Sequence, residues 1–150
     1  MANLLDLCKD LPVREFKKGD NILLEKEKDG EILVLKEGKV EVLRNETPVA
    51  TIVNPGTTFG EIAVLLGRGH SATLVANTDV ACHVIENAVE FMETHPQTVM
   101  EIARILSRRM MRISDELVEL KELIEADAAI EDLDFGDRIS SMLPGLDYDY

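Results

Sequence analysis

Four glycine-bearing turn signals divide the chain between Val13 and Glu86 into short runs of β-forming residues. The turn signals are Gly19-Asp20, Asp29-Gly30, Glu37-Gly38 and Pro55-Gly56, and glycine accepts the positive φ that tight turns require. Runs rich in Val, Ile and Leu lie at Asn21–Glu25, Glu31–Lys36, Lys39–Leu43, Pro48–Val53, Thr73–Val75 and Val80–Ile85. This regular spacing predicts an antiparallel barrel or sandwich.

Helical patterns precede, interrupt and follow the β runs. One or two amphipathic turns through Leu4, Leu5 and Leu7 stop at Pro12, and a short helical turn within Phe59–His70 interrupts the strands. Asn87–Thr94 suits a short helix, and Pro96 is well placed in the first turn of a second one.

A heptad pattern runs along the helix predicted over Gln97–Glu125. Apolar residues recur at spacings of 4, 3, 4, 3 and 4, at Leu106, Met110, Ile113, Leu117, Leu120 and Ile124. Such a seam is typical of helices that pair. We therefore expect a homodimer through Gln97–Glu125, the alternative being a solitary helix packed along its own barrel.

Composition excludes several classes of protein. The 150 residues are 45% apolar, enough for a packed core, and 16 basic against 29 acidic residues give 16 − 29 = −13. Proteins that bind duplex DNA concentrate Lys and Arg to neutralise phosphates, so DNA is not expected as a partner. No apolar run approaches the roughly 20 residues that span a bilayer.

The ends of the chain and its cysteines suggest a cytoplasmic location. The first ten residues lack the charged start and long apolar stretch of a signal peptide. Cys8 and Cys82 could form one disulfide, but a chain with a good core does not need it, and the cytosol would keep both thiols reduced. We expect two small buried side chains.

Residues 126–150 differ in composition from residues 1–125, which we expect to form one domain. Acidic residues dominate it at Asp127, Glu131, Asp132, Asp134, Asp137, Asp147 and Asp149, with apolar residues interleaved. This pattern predicts an acidic, loosely ordered tail. Such a tail could dock on a partner protein, fold back on its own barrel or remain solvated.

Several of these features occur together in a known family. The runs Phe16 to Ile22, Asp29 to Val42, Pro55-Gly56 and Phe59 to Ala63, followed by Ser71-Ala72-Thr73, resemble the cyclic nucleotide-binding domain family over about residues 10–125. Catabolite-activator-like regulators and the regulatory subunits of protein kinase A share this domain. The resemblance implies an eight-stranded antiparallel jelly-roll barrel with a phosphate-binding cassette between strands six and seven, then a short helix and a long helix.

The resemblance also implies a ligand site. Its residues would be Phe59, Gly60, Glu61, Ile62, Ala63, Arg68, His70, Ser71, Ala72 and Thr73. A carboxylate such as Glu61 can accept a strong hydrogen bond from a ribose 2′-hydroxyl, and backbone N–H groups can bind the cyclic phosphate. Gly60 would let the backbone approach the ligand closely. For Ser71 and Thr73, hydrogen bonding within a strand is the alternative role.

One position departs from the family. The slot of the arginine that pairs with the phosphate, just before Ser71-Ala72-Thr73, holds His70. Arginine is permanently charged and forked, whereas imidazole near neutral pH is mostly uncharged and makes one bond at a time. Losing a charge-assisted bond costs about 1.5–3 kcal/mol. Three possibilities follow: Arg68 replaces the arginine, His70 becomes protonated when the anion binds, or the pocket is vestigial. The alternative role for Arg68 is a solvent-facing charge.

Two functions follow from this sequence. The first is a stand-alone sensor of cAMP or cGMP that relays ligand binding to a partner protein through its C-terminal helices. The second is a degenerate fold that serves as a nucleotide-independent dimeric scaffold. No nucleophile with its base, and no close grouping of His70, His83 or His95 with a carboxylate, indicates catalysis or a metal site, so neither an enzyme nor a cofactor is expected.

Overall fold

A computed structural model describes residues 3–126. The elements are α1 (Leu4–Cys8), β1 (Val13–Phe16), β2 (Asn21–Leu23), β3 (Ile32–Glu37), β4 (Val40–Arg44), β5 (Thr47–Ile52), β6 (Thr58–Phe59), α2 (Glu61–Leu66), β7 (Thr73–Ala76), β8 (Val80–Ile85), α3 (Ala88–Thr94) and α4 (Pro96–Ala126). The chain divides into two compact units, one ending at Ile105 and the other beginning at Leu106.

The strands form two four-stranded sheets in the first unit. Their orders are β1-β8-β3-β6 and β2-β7-β4-β5, and the paired strands run antiparallel. The predicted eight-stranded antiparallel jelly roll with C-terminal helices is therefore confirmed. The strands hydrogen-bond within two separate sheets, so they do not close into one continuous barrel.

Strand β8 lies at the centre of the first sheet. All six of its residues are buried, and both of its edges are paired, with β1 on one side and β3 on the other. A strand covered on both faces needs apolar residues at every position, and Val80–Ile85 supplies them except at His83. The main core cluster comprises Ile22, Leu23, Leu33, Leu35, Val40, Phe59, Leu74, Ala76, Val80, Cys82 and Val84.

The predicted helices are confirmed with small changes at their ends. Asn3 caps α1, with its side-chain oxygen accepting the N–H of Asp6 at 3.0 Å. The short helix begins at Ala88 after Asn87, and the long helix begins at Pro96, one residue before the predicted start. Proline suits this position because the first helical N–H has no partner within the helix.

In the second unit, α4 carries the predicted heptad seam at its surface. The exposed fractions of Met110, Ile113 and Leu120 are 48%, 54% and 45%. A second helix could cover these side chains, and the homodimer stays a prediction. The predicted acidic tail covers residues 126–150. Ala126 is the last residue of α4, and residues 127–150 lie outside the described residues, so the expected domain limits remain a prediction.

Both cysteines are buried and unpaired, as the sequence indicates. Burial raises the pKa of the Cys8 thiol to about 11 and that of the Cys82 thiol to about 12, because an apolar environment disfavours the thiolate. Among residues 3–126, no helix has the length and apolar character needed to cross a membrane.

Candidate functional site

The segment that the sequence indicates as a phosphate-binding cassette begins where β6 ends. Phe59 is 4% exposed and pairs with Leu33 of β3, so its side chain belongs to the core. Gly60 follows with φ +83°, and a Cβ there would lie 2.7 Å from the carbonyl oxygen of Glu31 and 3.2 Å from Cε1 of His70. Only glycine fits this turn, both for its backbone angle and for its space.

Helix α2 turns one face inward and the other outward. Glu61 and Ala63 are buried, with Glu61 only 2% exposed. On the outer face, Ile62, Leu65 and Leu66 are spaced as i, i+3 and i+4 and are exposed. The structure therefore places the predicted ribose-binding carboxylate inside the protein, directly after the turn at Gly60.

Hydrogen bonds hold both the backbone and the ring of His70 in place. Its N–H donates to the carbonyl oxygen of Glu27 at 2.9 Å, and its own carbonyl oxygen accepts the N–H of Lys26 at 2.8 Å. The ring nitrogen Nε2 lies 2.8 Å from Oδ2 of Asp29, with side-chain exposures of 4% for His70 and 35% for Asp29. His70, which the resemblance places in the arginine slot, is thus buried and paired with a carboxylate.

Asp29 connects His70 to a second ion pair. Its Oδ1 accepts the backbone N–H of Glu31 at 3.0 Å, and the two carboxylate oxygens of Glu31 accept from both terminal nitrogens of Arg14 at 2.8 and 3.0 Å. The hydrogen bonds that Arg14 donates to Glu31 raise the pKa of the Arg14 guanidinium, and the charge of Asp29 adds to this effect. A chain of paired groups therefore extends from His70 to β1.

The remaining predicted site residues lie on the segment that enters β7. Arg68 is exposed, and its backbone N–H donates to the carbonyl oxygen of Ala63 at 3.0 Å. Ser71 and Ala72 are half-buried. The Thr73 hydroxyl accepts the N–H of Glu25 at 3.0 Å, which is the strand role left open by the sequence.

An open recess of about 590 Å³ lies beside this segment. Its lining residues are Glu25, Lys26, Leu43, Asn45, Glu46 and Thr73. Thr73 belongs to the predicted site, whereas Leu43 contributes an apolar surface from β4. The recess thus adjoins the segment that runs from His70 into β7.

Sequence reasoning missed the role of Asp29. The Asp29-Gly30 pair indicates a turn, and the structure confirms a positive φ of 73° at Gly30. The contact with His70 spans 41 positions along the chain, so local pattern could not reveal it. An unexplained histidine in an arginine slot was the one available signal that some carboxylate lies nearby.

The two four-stranded antiparallel sheets define a jelly-roll ligand-binding domain. The short helix α2, which begins directly after Gly60, is inserted before β7. The family model of the cyclic nucleotide-binding domain matches residues 13–93. The match covers more than half of the chain and includes the whole cassette. The chain belongs to the cyclic nucleotide-binding domain family.

Individual relatives cover similar regions. The chain is 31% identical over 105 residues to glutaminase 2 of Bradyrhizobium diazoefficiens, a match to 65% of this chain and 16% of that protein. It is 24% identical over 120 residues to the CRP-like cAMP-activated global transcriptional regulator of Mycobacterium tuberculosis, covering 76% of this chain and 54% of the regulator.

A solved structure shares the fold. The catabolite activator protein of Thermus thermophilus superposes with a TM-score of 0.64 at 24% identity, over 79% of this chain and 59% of that one. The chain thus spans about half of the regulator and a sixth of the glutaminase.

Proposed function

We propose that this chain binds a cyclic nucleotide, cAMP or cGMP, at the cassette and acts as a sensor that relays binding to a partner protein through its C-terminal helices. The observation that carries the proposal is the buried carboxylate of Glu61, held directly after the obligatory Gly60 turn. Both residues lie inside the region that matches the family model.

The ribose and the phosphate of the ligand each have a proposed counterpart at this site. Glu61 accepts a hydrogen bond from the ribose 2′-hydroxyl, while Gly60 gives the phosphate access to the backbone N–H groups of Ile62 and Ala63. His70 and Arg68 supply side chains that can face the phosphate. Phe59 supports the cassette from the core, and Ser71, Ala72 and Thr73 complete the wall along β7.

A route for relaying binding follows the order of the elements. Helix α2 contacts α3, and α3 ends at Thr94, two residues before α4 begins. A ligand that orders the cassette would bias the position of α3 and thereby the start of α4. We propose that a homodimer through Gln97–Glu125, or a partner bound by the acidic tail, detects this change.

The cellular setting follows from charge and cysteine chemistry. Two unpaired thiols are compatible with a reducing cytoplasm. A net charge of −13 disfavours contact with DNA. The family to which the chain belongs binds a regulatory ligand, and we propose a regulatory protein and not an enzyme.

Isothermal titration of the purified chain with cAMP and with cGMP at pH 6 tests the proposal. We expect binding in the micromolar range, weakened at least about tenfold in Glu61→Gln, because the neutral amide makes a weaker bond to the 2′-hydroxyl. Glu93→Gln, on the exposed side of α3, serves as the matched control and should bind like the wild type. Absence of heat with either nucleotide at millimolar concentration would contradict the sensor and leave the dimeric scaffold as the function to test.

A further inference from the structure

Residues 29–31 lead into β3 and contact both the cassette turn and the helix that follows the sheets. The carbonyl oxygen of Gly30 accepts the N–H of Ala88, the first residue of α3, at 3.0 Å. The carbonyl oxygen of Glu31 lies only 2.7 Å from the point where a Cβ on Gly60 would stand. The position of residues 29–31 therefore limits where the Gly60 turn and the start of α3 can lie.

The backbone of residues 29–31 lies outside the strand ladder, which begins at Ile32 opposite Ile85. Gly30 has φ +73°, and nothing lies within 4 Å of the position that a Cβ would take there. Glycine also has more backbone freedom than any other residue. The side chains on either side of Gly30, those of Asp29 and Glu31, therefore contribute to holding this segment in place.

Arg14 holds Glu31 through a forked ion pair. The nitrogens Nη1 and Nη2 donate to the two carboxylate oxygens of Glu31 at 2.8 and 3.0 Å. Arg14 is itself fixed in β1, where it lies opposite Cys82 of the buried strand β8. Two parallel hydrogen bonds set the direction of a carboxylate as well as its distance. The first sheet thereby fixes the Glu31 side chain.

This ion pair is better suited to positioning than to stabilising the fold. The side chains of Arg14 and Glu31 are 42% and 22% exposed, and ion pairs that solvent can reach add little to the free energy of unfolding. A hydrogen bond, however, weakens steeply when its angle becomes poor. A shift of the Gly60 turn would therefore weaken bonds made by the backbone N–H groups that follow it.

We propose that Arg14 is a positioning residue for the cyclic nucleotide site and acts through Glu31 on the Gly60 turn. The guanidinium fork holds Glu31, whose carbonyl oxygen borders the turn, and the turn orients the N–H groups of Ile62 and Ala63 towards the phosphate. This inference rests on the proposed nucleotide site and adds to it a residue of β1, outside the cassette.

Isothermal titration of the full chain with cAMP and with cGMP tests this role. Arg14→Gln and Arg14→Lys should each bind about three- to tenfold more weakly than the wild type, the effect of one weakened hydrogen bond. Lysine keeps the charge of arginine but not its fork. Wild-type affinity in Arg14→Lys would therefore show that the charge alone matters and would overturn the inference.

The matched control is Lys17→Gln, one residue beyond the end of β1. Lys17 forms an ion pair with Asp79 at 3.7 Å, with side-chain exposures of 81% and 70%. Its removal changes the net charge as Arg14→Gln does, and the variant should bind like the wild type. A loss of affinity equal to that of Arg14→Gln would assign the effect to charge and would overturn the inference.

Urea denaturation separates positioning from folding. A chain that is more than about 99% folded binds with the affinity of its native state, so a loss of stability alone leaves the affinity unchanged. We expect the urea midpoint of Arg14→Gln to stay close to that of the wild type while its nucleotide affinity falls. Unchanged affinity in Arg14→Gln would show that the ion pair has only a structural role.

A double-mutant cycle tests the path through Glu31. Glu31→Gln should weaken binding about as much as Arg14→Gln does, because the amide can accept only one of the two hydrogen bonds. The chain that carries both substitutions should then show little further loss. Losses that multiply in the double variant would show that Arg14 acts independently of Glu31, against the inference.

Hydrogen exchange gives a readout without nucleotide. The amide of Ala88, which donates to Gly30, should exchange at least about threefold faster in Arg14→Gln, because local opening is easier once the segment is released. The amide of Asn77 donates to the carbonyl oxygen of Lys39 at 2.8 Å and serves as the control, which should not change. Equal exchange of Ala88 in both proteins would overturn the inference.

The titrations also distinguish failure of this inference from failure of the proposed function. A wild type that binds a nucleotide no better than Arg14→Gln does overturns the inference and leaves the nucleotide site intact. A wild type that binds neither nucleotide at millimolar concentration removes the proposed function and this inference with it.

Discussion

Gly69 lies against the backbone of Lys26 so closely that a Cβ on the glycine would stand 2.2 Å from the Lys26 carbonyl oxygen. The neighbouring backbone bonds from Lys26 to His70 and from His70 to Glu27 hold the two segments together. Gly69→Ala must therefore separate these segments and displace His70. We expect a loss of at least about 2 kcal/mol in the free energy of unfolding, measured by urea denaturation.

Gly67 provides the matched control for that measurement. It also has no side chain, but nothing lies within 4 Å of the position that a Cβ would take there, and its φ is +62°. Gly67→Ala should lose only about 1 kcal/mol, the strain of a left-handed alanine. Equal urea midpoints for the two variants would show that the contact with Lys26 does not constrain Gly69.

Core packing around β3 should dominate stability. Leu33 is fully buried between its partners Phe59 and Val84, so Leu33→Ala leaves a cavity and should lower the free energy of unfolding by about 2–5 kcal/mol. Leu66, on the outer face of α2, is 64% exposed. Leu66→Ala should change stability by less than about 0.5 kcal/mol in the same assay, and a similar loss in both variants would contradict this account of the core.

The buried thiols make the fold sensitive to alkaline pH. Burial raises the pKa of Cys8 from 9.0 to about 11 and that of Cys82 to about 12, so above pH 9 the unfolded chain loses thiol protons that the folded chain keeps. Their contribution to stability is complete below pH 9 and is lost as pH rises towards the folded values. At pH 10.5 each thiol should destabilise the fold by about 2 kcal/mol relative to pH 8.

The control for this pH dependence is a double variant, Cys8→Ala with Cys82→Ala, unfolded in urea at both pH values. It should lose several kcal/mol less between pH 8 and pH 10.5 than the wild type does. If both proteins lose the same stability, other groups are responsible for the alkaline transition.

The heptad seam makes a prediction about assembly. A glutamate at position 113 would place an unpaired charge between the helices of a dimer, which costs several kcal/mol. Ile113→Glu should therefore raise the dimer dissociation constant at least about a hundredfold in analytical ultracentrifugation.

Met111 offers a matched position outside the seam. It is exposed to nearly the same extent, 49% against 54% for Ile113. Met111→Glu should leave the dimer intact. A wild type that sediments as a monomer, or a dimer that tolerates both substitutions, would argue against pairing through this seam.

The strands bounded by strong turn signals could be predicted from the sequence, whereas β1 and β6 were not among the predicted runs. Val80–Ile85 is apolar throughout except at His83 and has the predicted bounds, whereas Lys39–Leu43 shifts by one residue to Val40–Arg44. Strand β6 has only two residues, Thr58–Phe59. Its existence depends on pairing with Leu33 and Val34, a long-range contact that leaves no local period to detect.

The candidate site, like the strands, could be predicted where it depends on local sequence and could not where it depends on long-range contacts. Gly60, Glu61 and His70 could be located because the cassette is a contiguous segment with a recognisable order of residues. The partner of His70 lies on another segment, and only the fold brings Asp29 beside it. The exposed outer face of α2 was equally hidden, since which face of a short helix is covered depends on what packs against it.

The pairing of β1 with β8 joins residues near the start of the chain to residues far along it, as Val13 opposite His83 shows. During synthesis on a ribosome, β3 emerges long before the strand that will cover its edge. The first sheet can close only after Ile85 has left the exit tunnel, and contacts this distant in sequence form slowly. Until then the apolar residues of β3 are open to chaperones, so the nascent chain should be most vulnerable to aggregation just before β8 appears.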